Sequence, residues 1–131
     1  MPRVLCAALA ALSILMACIA VADDARSIAD GVYTEGQAAS GELLYAEHCL
    51  ICHDKKYFRP VLKRWNGQPI SMMYLIMSSS MPESNPASLQ QEEYADILAY
   101  ILSLSRYPAG DTPLTVTDEA LERILVAPRR R

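Results

Sequence analysis

The sequence predicts an all-α fold for the chain beyond its N-terminal segment. Ile97, Ile101 and Leu104 recur at spacings of four and three, which is the period of one helix face. No segment alternates apolar and polar residues as a half-buried strand does. A length of 131 residues, 52% of them hydrophobic, indicates one small globular domain and excludes a large multidomain enzyme. With a net charge of −3, we expect no binding to nucleic acid.

Residues 1–22 are interpreted as a signal peptide. Arg3 precedes an uncharged, apolar run that ends in Ala20-Val21-Ala22, which supplies the small residues of an A-x-A cleavage site. An uncleaved anchor is an alternative because the run is just long enough to span a bilayer. A lipoprotein signal with Cys18 is another. Each predicts export to the periplasm, with the domain held at the membrane only if this segment is retained or lipidated.

The first elements after the signal are a loose segment, a helix and a loop. Residues 23–37 are rich in small and polar residues without periodicity, so we expect a flexible lead-in. A helix is expected from Gly41 to Cys49, with Ser40 as its N-cap. Pro60 and Gly67 interrupt residues 54–68, which we expect to be mostly loop.

Three further helices complete the prediction. A short helix is expected over 69–78, followed by a loop over 78–88 that is rich in serine and proline. The clearest helix follows, with Ser88 and Gln91 as a capping box, and it ends before Pro108.

The C-terminal extension, residues 115–131, is expected to contain a short helix over 118–126 with Thr117 as its N-cap. Arg129, Arg130 and Arg131 close the chain. They are interpreted as a frayed end, with contact to anionic lipid or a partner as the alternative.

The motif with the most specific chemistry is Cys49-Leu50-Ile51-Cys52-His53, the C-x-x-C-H pattern of c-type haem attachment. On a helical turn, residues i, i+3 and i+4 share a face. Both thiols would therefore reach the two vinyl groups of one porphyrin, and His53 would direct its imidazole to the iron. The motif predicts one covalently bound haem c.

Three other interpretations of the motif are weaker. A disulfide between Cys49 and Cys52 is sterically awkward at this spacing and does not explain His53. A thioredoxin-like dithiol expects a βαβ context, which the sequence lacks. A zinc site that also used His48 would have four ligands within six residues, without the second pair typical of zinc modules.

The chain resembles the class I cytochromes c, the small single-haem proteins of bacterial periplasms. Gly41, Tyr45 and the haem motif resemble that family's first helix, Met81-Pro82 its distal Met-Pro, and residues 93–102 its last helix. The resemblance covers about residues 38–114, which we expect to form a cytochrome c domain. It implies four to five short helices around one haem, with the first and last crossing at Gly41.

The same resemblance implies further haem contacts. Pro60-Val61-Leu62 resembles the family's G-P-x-L element, although Arg59 stands where glycine is usual. In this position the Pro60 carbonyl would accept a hydrogen bond from the His53 ring; a simple turn proline is the alternative. Leu62 is expected against the haem. Trp65 either donates its indole N–H to a haem propionate or only packs.

Two residues are expected to be axial ligands of the haem iron: His53 is the first and Met81 is the second. Met81 lies in a polar loop where an apolar side chain has no core to serve, and the resemblance implies the same role. Met77 is the reserve candidate, since Met72, Met73 and Met77 are interpreted as packing residues of one helix.

A haem iron with two protein ligands suits electron transfer, and no paired carboxylates or activated serine accompany it, so we expect a carrier rather than an enzyme. The leading hypothesis is a shuttle from an exported dehydrogenase to an oxidase or another cytochrome. The stretch from Met81 to Leu114 resembles cytochromes that accompany periplasmic quinoprotein or sulfur-compound dehydrogenases. This resemblance implies the alternative, a dedicated haem subunit of one such complex with residues 105–131 as a docking arm. A haem sensor or peroxidase with an open distal site requires that Met81 does not ligate.

Overall fold

The computed structural model describes residues 25–129, which are mostly helical. Its elements are β1 (Arg26–Ser27), α1 (Glu35–His48), α2 (Phe58–Arg64), α3 (Ile70–Ser80), α4 (Gln91–Leu104), α5 (Asp118–Glu122) and β2 (Ile124–Leu125). The all-α prediction is confirmed, except for the short parallel pair β1–β2, which was not expected. The predicted signal peptide, Arg130 and Arg131 lie outside the described residues. Within 25–129, no helix has the length and apolar character needed to cross a membrane.

Helices α1 and α4 form the most extensive contact between elements, and their backbones meet at Gly41. A Cβ at this position would collide with the Asp96 carbonyl oxygen, so only glycine allows the approach. One turn further along α1, the Tyr45 ring packs edge-on against the Tyr100 ring, with 5.4 Å between centroids. The expected crossing at Gly41 is confirmed.

Helix α1 begins at Glu35, earlier than expected. Thr34 is its N-cap, and the Thr34 hydroxyl accepts a hydrogen bond from the Gln37 N–H at 3.2 Å. The Gln37 amide also exchanges two hydrogen bonds with the main chain of Leu114, at 2.6 and 3.1 Å. The prediction of Ser40 as the N-cap was wrong because Thr34 and Gln37 complete a capping box upstream.

The expected flexible lead-in, residues 23–37, is wrong for the part that the structure describes. Ile28, Val32 and Tyr33 are buried in the core. The Tyr33 carbonyl accepts a hydrogen bond from the Gly110 N–H at 2.7 Å. Pairing of β1 with β2 adds further main-chain hydrogen bonds. Apolar residues spaced without a regular period gave no sign of this packing in the sequence.

The segment expected to be mostly loop, residues 54–68, contains helix α2. Pro60 is the third residue of this helix, where a backbone N–H would have no intrahelical partner, so the proline does not interrupt it. Leu62 is 2% exposed and anchors α2 in the core.

The three remaining helices lie close to their predicted positions. Helix α3 ends two residues beyond the expected range. The capping of α4 is shifted from the expected Ser88 and Gln91 pair, since the Glu93 carboxylate accepts a hydrogen bond from the Gln90 N–H at 2.7 Å. Thr117 is the N-cap of α5 as predicted, but α5 ends at Glu122 because strand β2 follows.

The C-terminal extension is packed on its own domain. Leu121, Ile124 and Val126 are buried. The Val126 N–H donates to the Gln68 carbonyl at 2.8 Å, and the Gly67 N–H donates to the Val126 carbonyl at 2.7 Å. These contacts brace the chain just before α3, and a docking role for residues 105–131 stays a prediction.

We predict that Gly41→Ala lowers the free energy of unfolding of the haem-loaded protein by about 1–3 kcal/mol, because the new methyl group forces α1 and α4 apart. The control is Gly36→Ala in the same helix, where the new methyl group meets no closer atom than the Thr34 hydroxyl at 3.8 Å. That variant should gain about 0.5–1 kcal/mol from helix propensity. Urea unfolding measures both, and equal effects would contradict the close approach.

Leu121→Ala should cost about 2–5 kcal/mol of unfolding free energy, because it leaves a cavity under the extension. Leu125→Ala, at a side chain that is 36% exposed, is the control and should cost less. Thermal unfolding of the two variants compares them. A Leu121→Ala variant as stable as the parent would mean that the extension contributes little to the core.

Candidate haem site

A cavity of about 390 Å³ lies between the C-terminal end of α1, helices α2 and α3, and the middle of α4. This volume falls within the range of about 300–1,000 Å³ that is usual for small-molecule and cofactor sites. Its wall contains five of the predicted site residues: Cys49, Cys52, His53, Trp65 and Met81. The structure therefore brings the C-x-x-C-H motif and the proposed distal methionine to one cavity.

The end of α1 folds the motif into a single turn. Cys49 is the C-cap residue of α1, and its carbonyl accepts hydrogen bonds from the Cys52 N–H at 3.1 Å and the His53 N–H at 2.9 Å. Both thiols are free, with Cys49 half-buried and Cys52 exposed. Burial raises the pKa of the Cys49 thiol. Among residues 25–129, no group of three or more His, Cys, Asp or Glu is arranged to hold a metal ion, so the zinc alternative has no geometric support.

The His53 imidazole faces this cavity without a hydrogen bond to its buried nitrogen. Nδ1 has no partner among the described residues, so the expected bond to the Pro60 carbonyl is absent. Pro60 is exposed in the first turn of α2, where its carbonyl points along the helix axis. The His53 ring instead packs against Tyr57 and Phe58, with centroid distances of 4.4 and 5.6 Å. Aromatic contacts therefore position the His53 ring, and its Nδ1 atom makes no hydrogen bond to the described residues.

Tyr45 holds the main chain at the histidine. Its hydroxyl donates to the His53 carbonyl at 2.7 Å and lies 3.3 Å from the Asp54 carbonyl. Burial is the main reason that the pKa of Tyr45 is raised to about 12, with nearby Cys49 a smaller cause. The phenol therefore stays protonated, and remains a donor, well above neutral pH.

Met81 lies directly after α3, on another part of the cavity wall. Its N–H donates to the Met77 carbonyl at 3.0 Å, and its carbonyl accepts a hydrogen bond from the Tyr94 hydroxyl at 2.6 Å. Met73 and Met77 line the same cavity, whereas Met72 is 47% exposed. Because more than one methionine reaches the cavity, the choice of Met81 as the ligand stays a prediction.

Two of the expected haem contacts do not line the cavity. Pro60 is exposed, and the Leu62 side chain is directed into the core between the helices. Trp65 does line it and is half-buried, with no hydrogen bond from its indole to another described residue.

Most of the apolar wall was missed by the sequence interpretation. Ile97 and Ile101 were recognised as a helix stripe but not as cavity residues, and Phe58 and Val61 fell in the segment read as loop. The spacing of three between Phe58 and Val61 is the one sequence signal that predicts a shared helix face for them. The charged residues at the wall are Arg64 and Glu83, together with the titratable His48.

These residues fit a covalently bound haem. The cavity is mainly apolar, two thiols stand at one turn, an imidazole with a buried, unpartnered nitrogen follows them, and thioethers are available elsewhere on the wall. Thiols for covalent attachment and His/Met axial ligands are the donors that c-type haem uses.

The comparison with protein families agrees with this chemistry. Residues 36–101 match the family model described as cytochrome C oxidase, cbb3-type, subunit III, which spans half of the chain and runs from α1 into α4. The chain belongs to this family of c-type cytochromes. Searches of curated proteins and of solved structures found no match. This cytochrome therefore carries covalently bound haem c and is an electron-transfer protein that works with redox partner proteins.

Replacing either motif cysteine should lower the yield of haem-loaded cytochrome several-fold, because at most one thioether bond remains. Cys49→Ala and Cys52→Ala are compared with Leu50→Ala, which changes a residue of the same turn that is 41% exposed. Haem absorbance and the mass of the denatured protein report attachment after expression with a periplasmic haem-attachment system. Full covalent loading of either cysteine variant would contradict the assignment.

Proposed function

We propose that this cytochrome is a periplasmic one-electron carrier whose haem iron is ligated by His53 and Met81. It would accept electrons from an exported dehydrogenase and deliver them to a terminal acceptor such as an oxidase or another cytochrome. The observation that carries the proposal is that one cavity contains the C-x-x-C-H turn, Met81 and a largely apolar wall.

Haem c supplies reversible one-electron chemistry when it is bound. In the proposal, Cys49 and Cys52 would hold the group covalently, and His53 and Met81 would both ligate its iron, which would leave no place there for oxygen or peroxide. A thioether ligand raises the reduction potential. Apolar side chains such as Ile97 and Ile101 keep water from the cavity, which limits the reorganisation that accompanies a change of charge.

Exposed apolar residues near the cavity support transient docking of a redox partner. Ile76 is part of the cavity wall and is 50% exposed, and Ile51, between the two cysteines, is 92% exposed. Leu75, next to Ile76 on α3, is 64% exposed. Exposed apolar side chains around a cofactor cavity are typical of a small, short-lived protein interface.

Export is supported by two observations. Domains of this family are typically extracytoplasmic. The pattern of residues 1–22 has the apolar run and small residues of a signal peptide. In the proposal the signal precedes a cytochrome domain of about residues 38–114, to which the flanking segments 25–37 and 115–129 are joined by buried contacts.

A dedicated haem subunit is the second candidate function. The observation that favours it is the matching family description, which names a subunit of an oxidase. A free carrier should elute as a monomer after isolation from its native source. A subunit should be isolated together with a larger catalytic chain.

The experiment for the proposed ligand is Met81→Ala compared with Met77→Ala. Loss of Met81 should remove the oxidised absorbance near 695 nm that marks methionine ligation in this family, and it should lower the reduction potential. Met77→Ala should mainly reduce stability. Loss of the 695 nm absorbance in Met77→Ala alone would move the ligand to Met77, and its absence from the parent protein would favour a sensor or peroxidase with an open distal site.

A further inference from the structure

Tyr94 joins helix α4 to the residue proposed as the distal ligand. The phenol is almost fully buried, with 3% of the residue exposed. Its hydroxyl donates to the Met81 carbonyl at 2.6 Å and lies 3.5 Å from the Leu89 N–H, which donates to it. One hydroxyl therefore ties both ends of the segment 81–89 to α4.

Met81 has few other restraints. It stands just beyond α3 in an extended conformation, and residues 83–88, which follow it, are exposed. The hydrogen bond from its N–H to Met77 fixes it to the end of α3, and the hydrogen bond from Tyr94 fixes its carbonyl. Removal of the Tyr94 hydroxyl would leave the main chain of Met81 anchored on one side only.

His53 differs in this respect. The Tyr45 hydroxyl donates to the His53 carbonyl, but the His53 N–H is also held by the Cys49 carbonyl inside the same turn. Covalent attachment through the two cysteines would restrain that turn further. Loss of the Tyr94 hydroxyl should therefore affect the placement of Met81 more than loss of the Tyr45 hydroxyl affects the placement of His53.

We infer that Tyr94 is a positioning residue for the distal ligand: its hydrogen bond to the Met81 carbonyl holds the methionine in place against displacement by an exogenous base. The inference rests on the proposed function, in which Met81 ligates the iron. Tyr94 itself does not line the cavity, so it acts through the main chain of Met81.

The test is the affinity of the oxidised, haem-loaded protein for imidazole, which competes with methionine for the iron. Tyr94→Phe keeps the ring and removes the hydroxyl, and it should raise that affinity by about 2- to 10-fold, the factor expected for one lost hydrogen bond. The matched control is Tyr33→Phe. Tyr33 is 2% exposed and donates to the Tyr107 carbonyl at 2.7 Å, but it does not line the haem cavity.

Both substitutions remove one buried hydroxyl-to-carbonyl bond, and Tyr94→Phe also loses the longer contact from the Leu89 N–H. Both should therefore lower the unfolding midpoint, Tyr94→Phe by somewhat more. Only Tyr94→Phe should change the imidazole affinity. Equal affinities in the two variants, whether raised or unchanged, would overturn the positioning role while leaving the Met81 assignment intact. If Met81→Ala retains the methionine absorbance, then Met81 is not the ligand, and the proposed ligation and this inference are both overturned.

Discussion

The backbone contact between α1 and α4 at Gly41 and Asp96 is the constraint on which the rest of the site depends. It brings the two longest helices so close together that no side chain fits between them at this point. Tyr45 and Tyr100 then meet edge to face beside it. From this crossing, α1 runs on to the haem-attachment turn, whereas α4 presents Ile97 and Ile101 to the cavity. A change in the crossing would therefore move both sides of the cavity.

Tyrosine hydroxyls link the irregular segments to this helical frame. The chain has seven tyrosines and one phenylalanine, an unusual balance for a small core. Five of the tyrosine hydroxyls donate to main-chain carbonyls, and they belong to Tyr33, Tyr45, Tyr74, Tyr94 and Tyr107. Each ring supplies buried apolar area. Four of the hydroxyls satisfy carbonyls that lie outside the helices and strands, whereas the Gln91 carbonyl bound by Tyr74 is in the first turn of α4. A phenylalanine core of the same volume would leave those four carbonyls without a protein partner.

The sequence-based predictions were most accurate for features that depend only on neighbouring residues in the chain. The haem motif was recognised because its spacing alone specifies the two thiols and the imidazole, and Thr117 was recognised because an N-cap is a local signal. The burial of Ile28 was not predictable in this way, since it depends on pairing with a strand close to the other end of the chain. The hydrogen bond from Tyr94 to Met81 was not predicted either, because no local sequence pattern near either residue indicates it.

The pairing of β1 with β2 has a consequence for the order in which the molecule forms. Arg26 and Ile124 are partners in this sheet, so almost the whole described chain lies in the loop that their contact closes. The entropy of closing such a loop is offset only when the contacts of both ends are made together. During synthesis the N-terminal end emerges first, and Ile28 then lacks its neighbours until β2 has followed. The core is therefore completed only when the segment that contains β2 is present.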